Sequence, residues 1–334
     1  MEPYQIILIA VAVTVFAAAV LVFAVALYAD RLVFGRRQNR NVHLKYFEPS
    51  DFSLSVRLLP AALGKTPLYV AVYTRSPEEQ FKKVVLFCPG MGAGQSSYMT
   101  EIARLASYGY AVVAYDSIGC GLSQGKNSRG FYAGVQSATA AYIAIKRDPA
   151  LRDKPVCLVG HSWGAYTALC LTTVVAADCV VALSPFNTPA RTVADGGAPV
   201  IGGTLSRLCM PMWYLINIFK FGFKGNANAS KRVQKSCVPA FIAYGRRDKT
   251  VLSDNTPAYL AHGAFIQNEI FDNKGHNVYN TVAAQKLIED ISAAFSRIKS
   301  PQKLNEYFSK FDFAAATEED EAVMNRIRFF IDSH

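Results

Sequence analysis

The chain has 334 residues, 35 Lys and Arg against 25 Asp and Glu, a net charge of +10 and a hydrophobic fraction of 51%. That length exceeds a disulfide- or metal-stapled module and suits one large α/β domain or two smaller ones, while a mean hydropathy of +0.15 excludes disorder for most of it. A pI near 9.2 points at first to nucleic acid, but two short segments together carry +11 and leave the rest at −1, so no nucleic-acid partner is expected.

From the N-terminus, Tyr4 to Ala29 is uncharged, and only Gln5 and Thr14 interrupt its apolar run. As a helix it reaches roughly 39 Å, enough to cross a hydrocarbon core of about 30 Å. A cleaved secretory signal normally has a positive n-region and a shorter apolar stretch, whereas the one charge before this run is Glu2. Residues 1–29 therefore read as an uncleaved transmembrane anchor. Next comes a basic juxtamembrane linker, residues 30–48, holding the first charged segment: Arg31, Arg36, Arg37, Arg40 and Lys45, with no acid between Arg31 and Lys45. By the positive-inside rule a single-pass protein of this kind keeps its larger, C-terminal part in the cytoplasm.

Beyond residue 49 short β-type runs alternate with helical stretches. SLSVRLLP and LYVAVYT (68–74) come first with no helix between them, which predicts an antiparallel start. KVVLFC (83–88), YAVVAYD (110–116), PVCLVG (155–160), CVVALS (179–184), PAFIAYG (239–245) and AFIQNEIFD (264–272) are further strands. Helical patterns cover Ser96–Ser107, Tyr132–Arg147, Trp163–Ala177, Thr256–His262 and Thr317–Ile331. The last carries Glu318–Glu321 in its expected first turn, as the helix dipole prefers. Near-continuous apolar strands separated by helices predict an α/β fold with a mostly parallel sheet covered on both faces. Pro185–Ser236 breaks the alternation and holds the second charged segment, seven basic residues against Asp195 alone. A connection this long normally carries function, though a helical excursion that only packs on the core remains its alternative. Seven cysteines lie scattered without C-x-x-C spacing, several inside apolar runs, so neither a disulfide framework nor a metal site is expected and a reducing compartment fits. One sequon, Asn228-Ala229-Ser230, points weakly the other way.

Gly160-His161-Ser162-Trp163-Gly164 matches G-x-S-x-G, with a strand running into it and a helix leaving it. That context is a nucleophile elbow: the flanking glycines allow a sharp turn that lifts the Ser Oγ over a helix N-terminus. A second match, Gly121-Leu122-Ser123-Gln124-Gly125, lacks both neighbours. Ser162 is the expected nucleophile. It needs a base, and in this chain order the acid and then the His follow. Asp248 comes directly after PAFIAYG, with Asp254 as its alternative; His276 comes directly after AFIQNEIFD. Both sit past carboxyl ends of strands, where open α/β sheets place their sites. The oxyanion should be met by the backbone N–H of Trp163 and by one from the loop Pro89-Gly90-Met91-Gly92-Ala93-Gly94, assigned to Met91. A simple glycine-rich turn is the alternative for that loop; a phosphate cradle would need the Gly-Lys-Ser/Thr ending it lacks. No cofactor or metal enters this chemistry.

In order, PGMGAG, DSIGCGLSQG, GHSWG and RRDKTV…GHN resemble the α/β-hydrolase superfamily, in particular its branch similar to monoacylglycerol lipases and serine aminopeptidases, over about residues 50 to 334. The resemblance implies an α/β-hydrolase fold with an eight-stranded, mostly parallel sheet, and Ser162, Asp248 and His276 as triad with Met91 and Trp163 as oxyanion donors. It also implies a core split into residues 49–184 and 237–334 around a cap, residues 185–236. Cys88-Pro89-Gly90 stands where close relatives usually have His-Gly, and Cys120 where many have Arg. The expected activity is hydrolysis of carboxylic esters through an acyl-enzyme. The anchor and an apolar, basic cap favour a lipid-like small-molecule ester, and the cap stretch MPMWYLINIFKFGFK is expected to lean on the bilayer. The alternatives are a thioesterase or acyltransferase, a peptidase, and a non-catalytic membrane-tethered binding module. A peptidase for free N-termini would want more acids in the cap than Asp195.

Overall fold

The structure, a computed structural model, describes residues 2–77 and 80–334. It opens with helix α1 (Pro3–Phe34). Strand β1 (Ser55–Leu58) and the small hairpin β2 (Ala61–Leu63) and β3 (Thr66–Leu68) lead to β4 (Val70–Thr74). Then alternate β5 (Val84–Cys88), α2 (Met99–Ser107), β6 (Ala111–Tyr115), α3 (Phe131–Arg147), β7 (Val156–His161), α4 (Trp163–Leu171) and β8 (Cys179–Leu183). The cap supplies α5 (Pro189–Ile201), α6 (Gly203–Leu208), α7 (Met210–Phe221) and α8 (Ala229–Ser236). After it come β9 (Ala240–Gly245), α9 (Pro257–Leu260), β10 (Ile266–Phe271), α10 (Val282–Arg297), α11 (Pro301–Ser309), α12 (Phe313–Ala316) and α13 (Glu321–Ser333).

Eight strands form one sheet in the order β1-β4-β6-β5-β7-β8-β9-β10. Only the β1–β4 and β4–β6 pairings are antiparallel. From β6 through β5, β7, β8 and β9 to β10 every pairing is parallel. Successive residues of the central strands feed opposite cores, as a period of two requires. Val84, Leu86, Leu158 and Ile242 enter one core with α3 and α4, while Val85, Phe87, Val159 and Phe241 enter the other with α2 and α13. Every expected strand is present.

Several local details differ from expectation: α10 and α11 fill a stretch for which no helix was expected, and the helix expected over Thr256–His262 spans only Pro257–Leu260. The hairpin β2–β3, turning at Gly64 with φ +61°, lies inside a stretch left without an element. The helix after the elbow stops at Leu171, six residues early, before the β-branched run Thr172–Val175. The last helix begins at Glu321 because the Asp320 carboxylate caps it, accepting the N–H groups of Ala322 at 3.0 Å and Val323 at 3.3 Å. Glu318 and Glu319 therefore precede the helix instead of opening it.

Helix α1 runs five residues past the expected end of the anchor. Residues 2–21 are exposed throughout. From Val22 onward one stripe turns inward: Ala26, Asp30 and Phe34 are buried at the i, i+4 spacing of a helix face. Val22, Phe23 and Ala29 pack with Trp213 and Ile216 of α7, and Phe23 meets Phe219 edge-on at 6.4 Å. Asp30 is ion-paired with Lys220. Phe34 packs on Phe131 at 4.9 Å, inside the main core. The segment that follows is fastened too. Arg37 donates to the carbonyls of Gly125 (2.7 Å), Gly121 (2.8 Å) and Ser123 (2.9 Å), and Gln38 bridges to Cys120.

Candidate active site

Four loops meet at the carboxyl ends of the parallel strands, and glycines let them meet. Ser162, between β7 and α4, has φ 55° and ψ −117°, a strained conformation for a residue with a side chain. A Cβ on Gly160 would lie 2.4 Å from the Gly164 carbonyl oxygen, and one on Gly164 would lie 1.8 Å from that of Cys88. The elbow can turn, and can touch the loop after β5, only with glycine at both positions. Gly245, ending β9, abuts the loop after β10 in the same way: a Cβ there would meet the Gly275 carbonyl oxygen at 2.3 Å.

Asp248 and His276 come together at these ends. His276 Nδ1 lies 2.8 Å from Asp248 Oδ2. Asp248 is held by the N–H groups of Thr250 (2.7 Å) and Val251 (2.9 Å), both donating to Oδ1, and its side chain is fully buried. Asp254, the alternative acid, turns instead to Arg191 of the cap at 2.6 Å. Ser123 of the second G-x-S-x-G match is buried, accepting from Tyr69 N–H at 2.8 Å and donating to the Asp116 carbonyl at 2.6 Å, so its hydroxyl is committed to the backbone. The Ser162 hydroxyl makes no hydrogen bond to His276. In unliganded hydrolases such contacts are often long and tighten when substrate binds. Trp163 is the first residue of α4, so its N–H has no carbonyl within the helix. The N–H of Met91 has no acceptor among the described residues.

A buried relay, which the sequence reasoning missed, ties these loops together. The Gly90 N–H donates to Tyr98 Oη at 3.1 Å, and the Tyr98 hydroxyl in turn meets His161 Nδ1 at 3.0 Å. His161 Nε2 meets the carbonyl oxygen of His276 at 3.1 Å, and the Ser184 hydroxyl donates to the same oxygen at 2.5 Å. With Tyr98 donating and the His276 carbonyl accepting, His161 is neutral and protonated on Nε2. Burial, reinforced by repulsion from His276, pushes its pKa down to about 3. The relay joins the loop after β5 to the loop after β10 through the residue before Ser162. Nothing local in the sequence marks His161 for this role, because its partners lie 63 and 115 residues away.

The two flanking loops have buried staples. Asp116 accepts the N–H groups of Gln95 (2.8 Å) and Leu122 (2.7 Å), joining the end of the oxyanion loop to the loop after β6. Burial raises its carboxyl to about 6, against the opposing pull of those two donors. Lys274, almost fully buried, donates to the Asn280 carbonyl at 2.5 Å and to Asp320 at 2.6 Å, and Gln285 accepts the Gly275 N–H at 2.6 Å. The segment after His276 thus buttresses the base loop. Beside it Glu101 and Glu319 are both buried; Glu101 bonds Thr100 and Tyr279, and Glu319 pairs with Arg104 at 2.7 Å. Burial raises Glu101 to about 7, and burial together with repulsion from Glu101 raises Glu319 to about 8. No cluster of residues able to hold a metal exists among the described residues.

Residues 85–279 match the model of a family described as the alpha/beta hydrolase family. Among solved structures, an esterase of Pyrococcus furiosus superposes with a TM-score of 0.56 at 19% identity, covering 79% of this chain and 99% of its own. An alpha-beta hydrolase of Vibrio vulnificus superposes with a TM-score of 0.52 at 15% identity, covering 71% of this chain and 80% of its own. At these identities the likeness is one of fold. No curated protein matches the chain.

Proposed function

The chain belongs to the alpha/beta hydrolase family, and on that premise we propose that it is a membrane-anchored serine hydrolase of lipid-like carboxylic esters. The observation that carries the catalytic part is the 2.8 Å His276–Asp248 pair, set on loops that pack against a strained Ser162 elbow. In this reading the Ser162 hydroxyl attacks the ester carbonyl and gives its proton to His276 Nε2. Asp248 holds the opposite ring N–H and offsets the imidazolium charge. The oxyanion takes hydrogen bonds from the N–H groups of Met91 and Trp163. His276 passes the proton to the departing alcohol, and a water then cleaves the acyl-enzyme through the same base.

The lipid part rests on where apolar surface is left in the open. Residues 3–21 of α1 are exposed and apolar apart from Gln5 and Thr14, and the cap (residues 185–236) exposes Val200, Leu208, Phe219 and Phe223 at 84, 68, 78 and 81%. A helix of this kind crosses a bilayer, and a cap packed against it lies at the interface. By the positive-inside rule, the basic residues following the span favour a cytoplasmic catalytic domain.

Labelling with a fluorophosphonate tests the chemistry. The wild type should label and Ser162→Ala should not; no labelling of the wild type, or equal labelling of both, would remove the enzyme reading and leave a binding module. A long-chain ester presented in bilayers should be turned over at a higher kcat/KM than a short soluble ester, and equal values would defeat the lipid assignment. Cys237 is the exposed cysteine among seven, so its reaction with a membrane-impermeant maleimide reports the side. Modification in intact cells would contradict a cytoplasmic domain.

A further inference from the structure

A groove of about 360 Å³ lies where α1 meets the catalytic domain, lined by Leu27, Asp30, Arg31 and Phe34 of α1, by Asn127 and Arg129, and by Lys220 and Phe221. Its size is at the lower end for ligand pockets. Lys220 is ion-paired with Asp30 and also donates to the Arg129 carbonyl at 3.0 Å. Arg129 has φ 63°, a left-handed conformation uncommon for a side chain of this size. The guanidinium groups of Arg31 and Arg129 make no hydrogen bond or ion pair with the described residues. After the Asp30–Lys220 pair cancels, two positive charges line the groove unanswered.

The depth of the groove matches a particular source of negative charge. Pro3–Leu21, the part of α1 free of the catalytic domain, spans about 28 Å, close to the roughly 30 Å of a hydrocarbon core. Leu27 and Arg31 then lie about 9 and 15 Å farther along the helix. The Arg31 side chain can reach back along the helix toward the polar layer of lipid phosphates, and Arg129, lining the same groove, adds a second guanidinium there. Leu27, on the bilayer side of Arg31, supplies an apolar wall toward the adjoining glycerol and acyl carbons.

We propose that this groove binds the phosphate of an anionic lipid headgroup, clasped between Arg31 and Arg129. The proposal rests on the reading of α1 as a membrane span, and it is independent of the chemistry at Ser162. Bound there, the lipid contacts α1 and α7 together and fixes the cap against the leaflet.

The test uses the full chain in phosphatidylcholine nanodiscs containing a minor fraction of phosphatidate, with retained lipid read by native mass spectrometry. The wild type should retain one phosphatidate in preference to phosphatidylcholine. Arg31→Gln/Arg129→Gln should retain it about thirtyfold more weakly, from roughly a factor of five for each charge. Arg36→Gln removes a neighbouring charge outside the groove and should match the wild type. Equal loss in Arg36→Gln, or no preference in the wild type, would overturn the site. In a parallel arm, displacement of phosphatidate by inorganic phosphate would make the ligand a soluble anion and overturn the lipid assignment. Fluorophosphonate labelling of the same samples separates the two readings. Labelling without lipid preference defeats the groove alone, and lipid retention without labelling defeats the hydrolase alone.

Discussion

Replacing Tyr98 with Phe removes one oxygen and isolates the relay. The ring still packs on Phe87 and His161, 5.3 and 5.8 Å from their centroids, so the loss is of hydrogen bonds and not of volume. Two buried groups lose their partner: the Gly90 N–H, 3.1 Å from the hydroxyl, and His161 Nδ1, 3.0 Å from it. Each unsatisfied buried group costs about 1–3 kcal/mol, so stability should fall by about 2–6 kcal/mol. Catalysis should fall for a separate reason. Gly90 precedes Met91, and a loop freed at Gly90 holds the Met91 N–H less accurately. Full loss of an oxyanion donor costs roughly 10²–10³ in rate, so a loosened one should lower kcat by roughly 10 to 10², with KM nearly unchanged. Urea denaturation and hydrolysis of a soluble p-nitrophenyl ester measure the two effects. A stability change below about 0.5 kcal/mol together with an unchanged kcat would refute the relay. A loss of stability with kcat intact would leave it structural only.

Three further outcomes follow from the same geometry. Gly164→Ala puts a Cβ 1.8 Å from the Cys88 carbonyl oxygen, so the elbow and the end of β5 must separate; fluorophosphonate labelling should be abolished even where circular dichroism shows a folded chain. In Asp248→Asn the amide oxygen should stay with the N–H groups of Thr250 and Val251, turning the NH₂ toward His276 Nδ1; this selects the wrong tautomer and should lower kcat by roughly 10⁴ in steady-state assays. Glu101 and Glu319 have carboxyl pKa values raised by burial to about 7 and 8 from 4.5, so the folded chain holds protons that the unfolded chain releases. Their stabilisation is complete below about pH 4.5 and is lost as pH rises through about 7–8. Melting temperature should therefore drop between about pH 4.5 and 8 and level off above it, and Glu101→Gln should flatten that drop; an unaltered slope in the variant would show that other groups control it.

The parts legible in the sequence were those whose cause is local. Strand runs such as VVLFC and VCLVG are buried on both faces, so their apolar continuity needed no tertiary knowledge to read. The Gly160–Gly164 elbow is likewise local, since strand, turn and helix are contiguous. Asp248 and His276 were legible as candidates because each lies just past a strand's carboxyl end, and the fold brings those ends together. The relay was not legible: Tyr98, His161 and Ser184 are joined through space, and no spacing marks a tyrosine on one loop as the partner of a histidine on another. The start of α13 was misplaced because four acids in a row, Glu318–Glu321, offer several caps, and the choice of Asp320 follows from its bond to Lys274. The inner turns of α1 were read as lipid-facing because Val, Ala and Phe suit a bilayer and a protein core equally.

That last ambiguity has a practical consequence for any soluble version of the protein. Cutting the chain after Asp30, where the apolar run ends, would strip the cover from Trp213, Ile216 and Ala190 and leave Lys220 without its carboxylate. The fragment would present a fresh sticky strip beside its cap and would be prone to self-association. A cut before Val22 keeps the inner turns as the ordinary surface helix they resemble from that point on. The exposed apolar turns and the turns packed on the catalytic domain thus meet within a single helix.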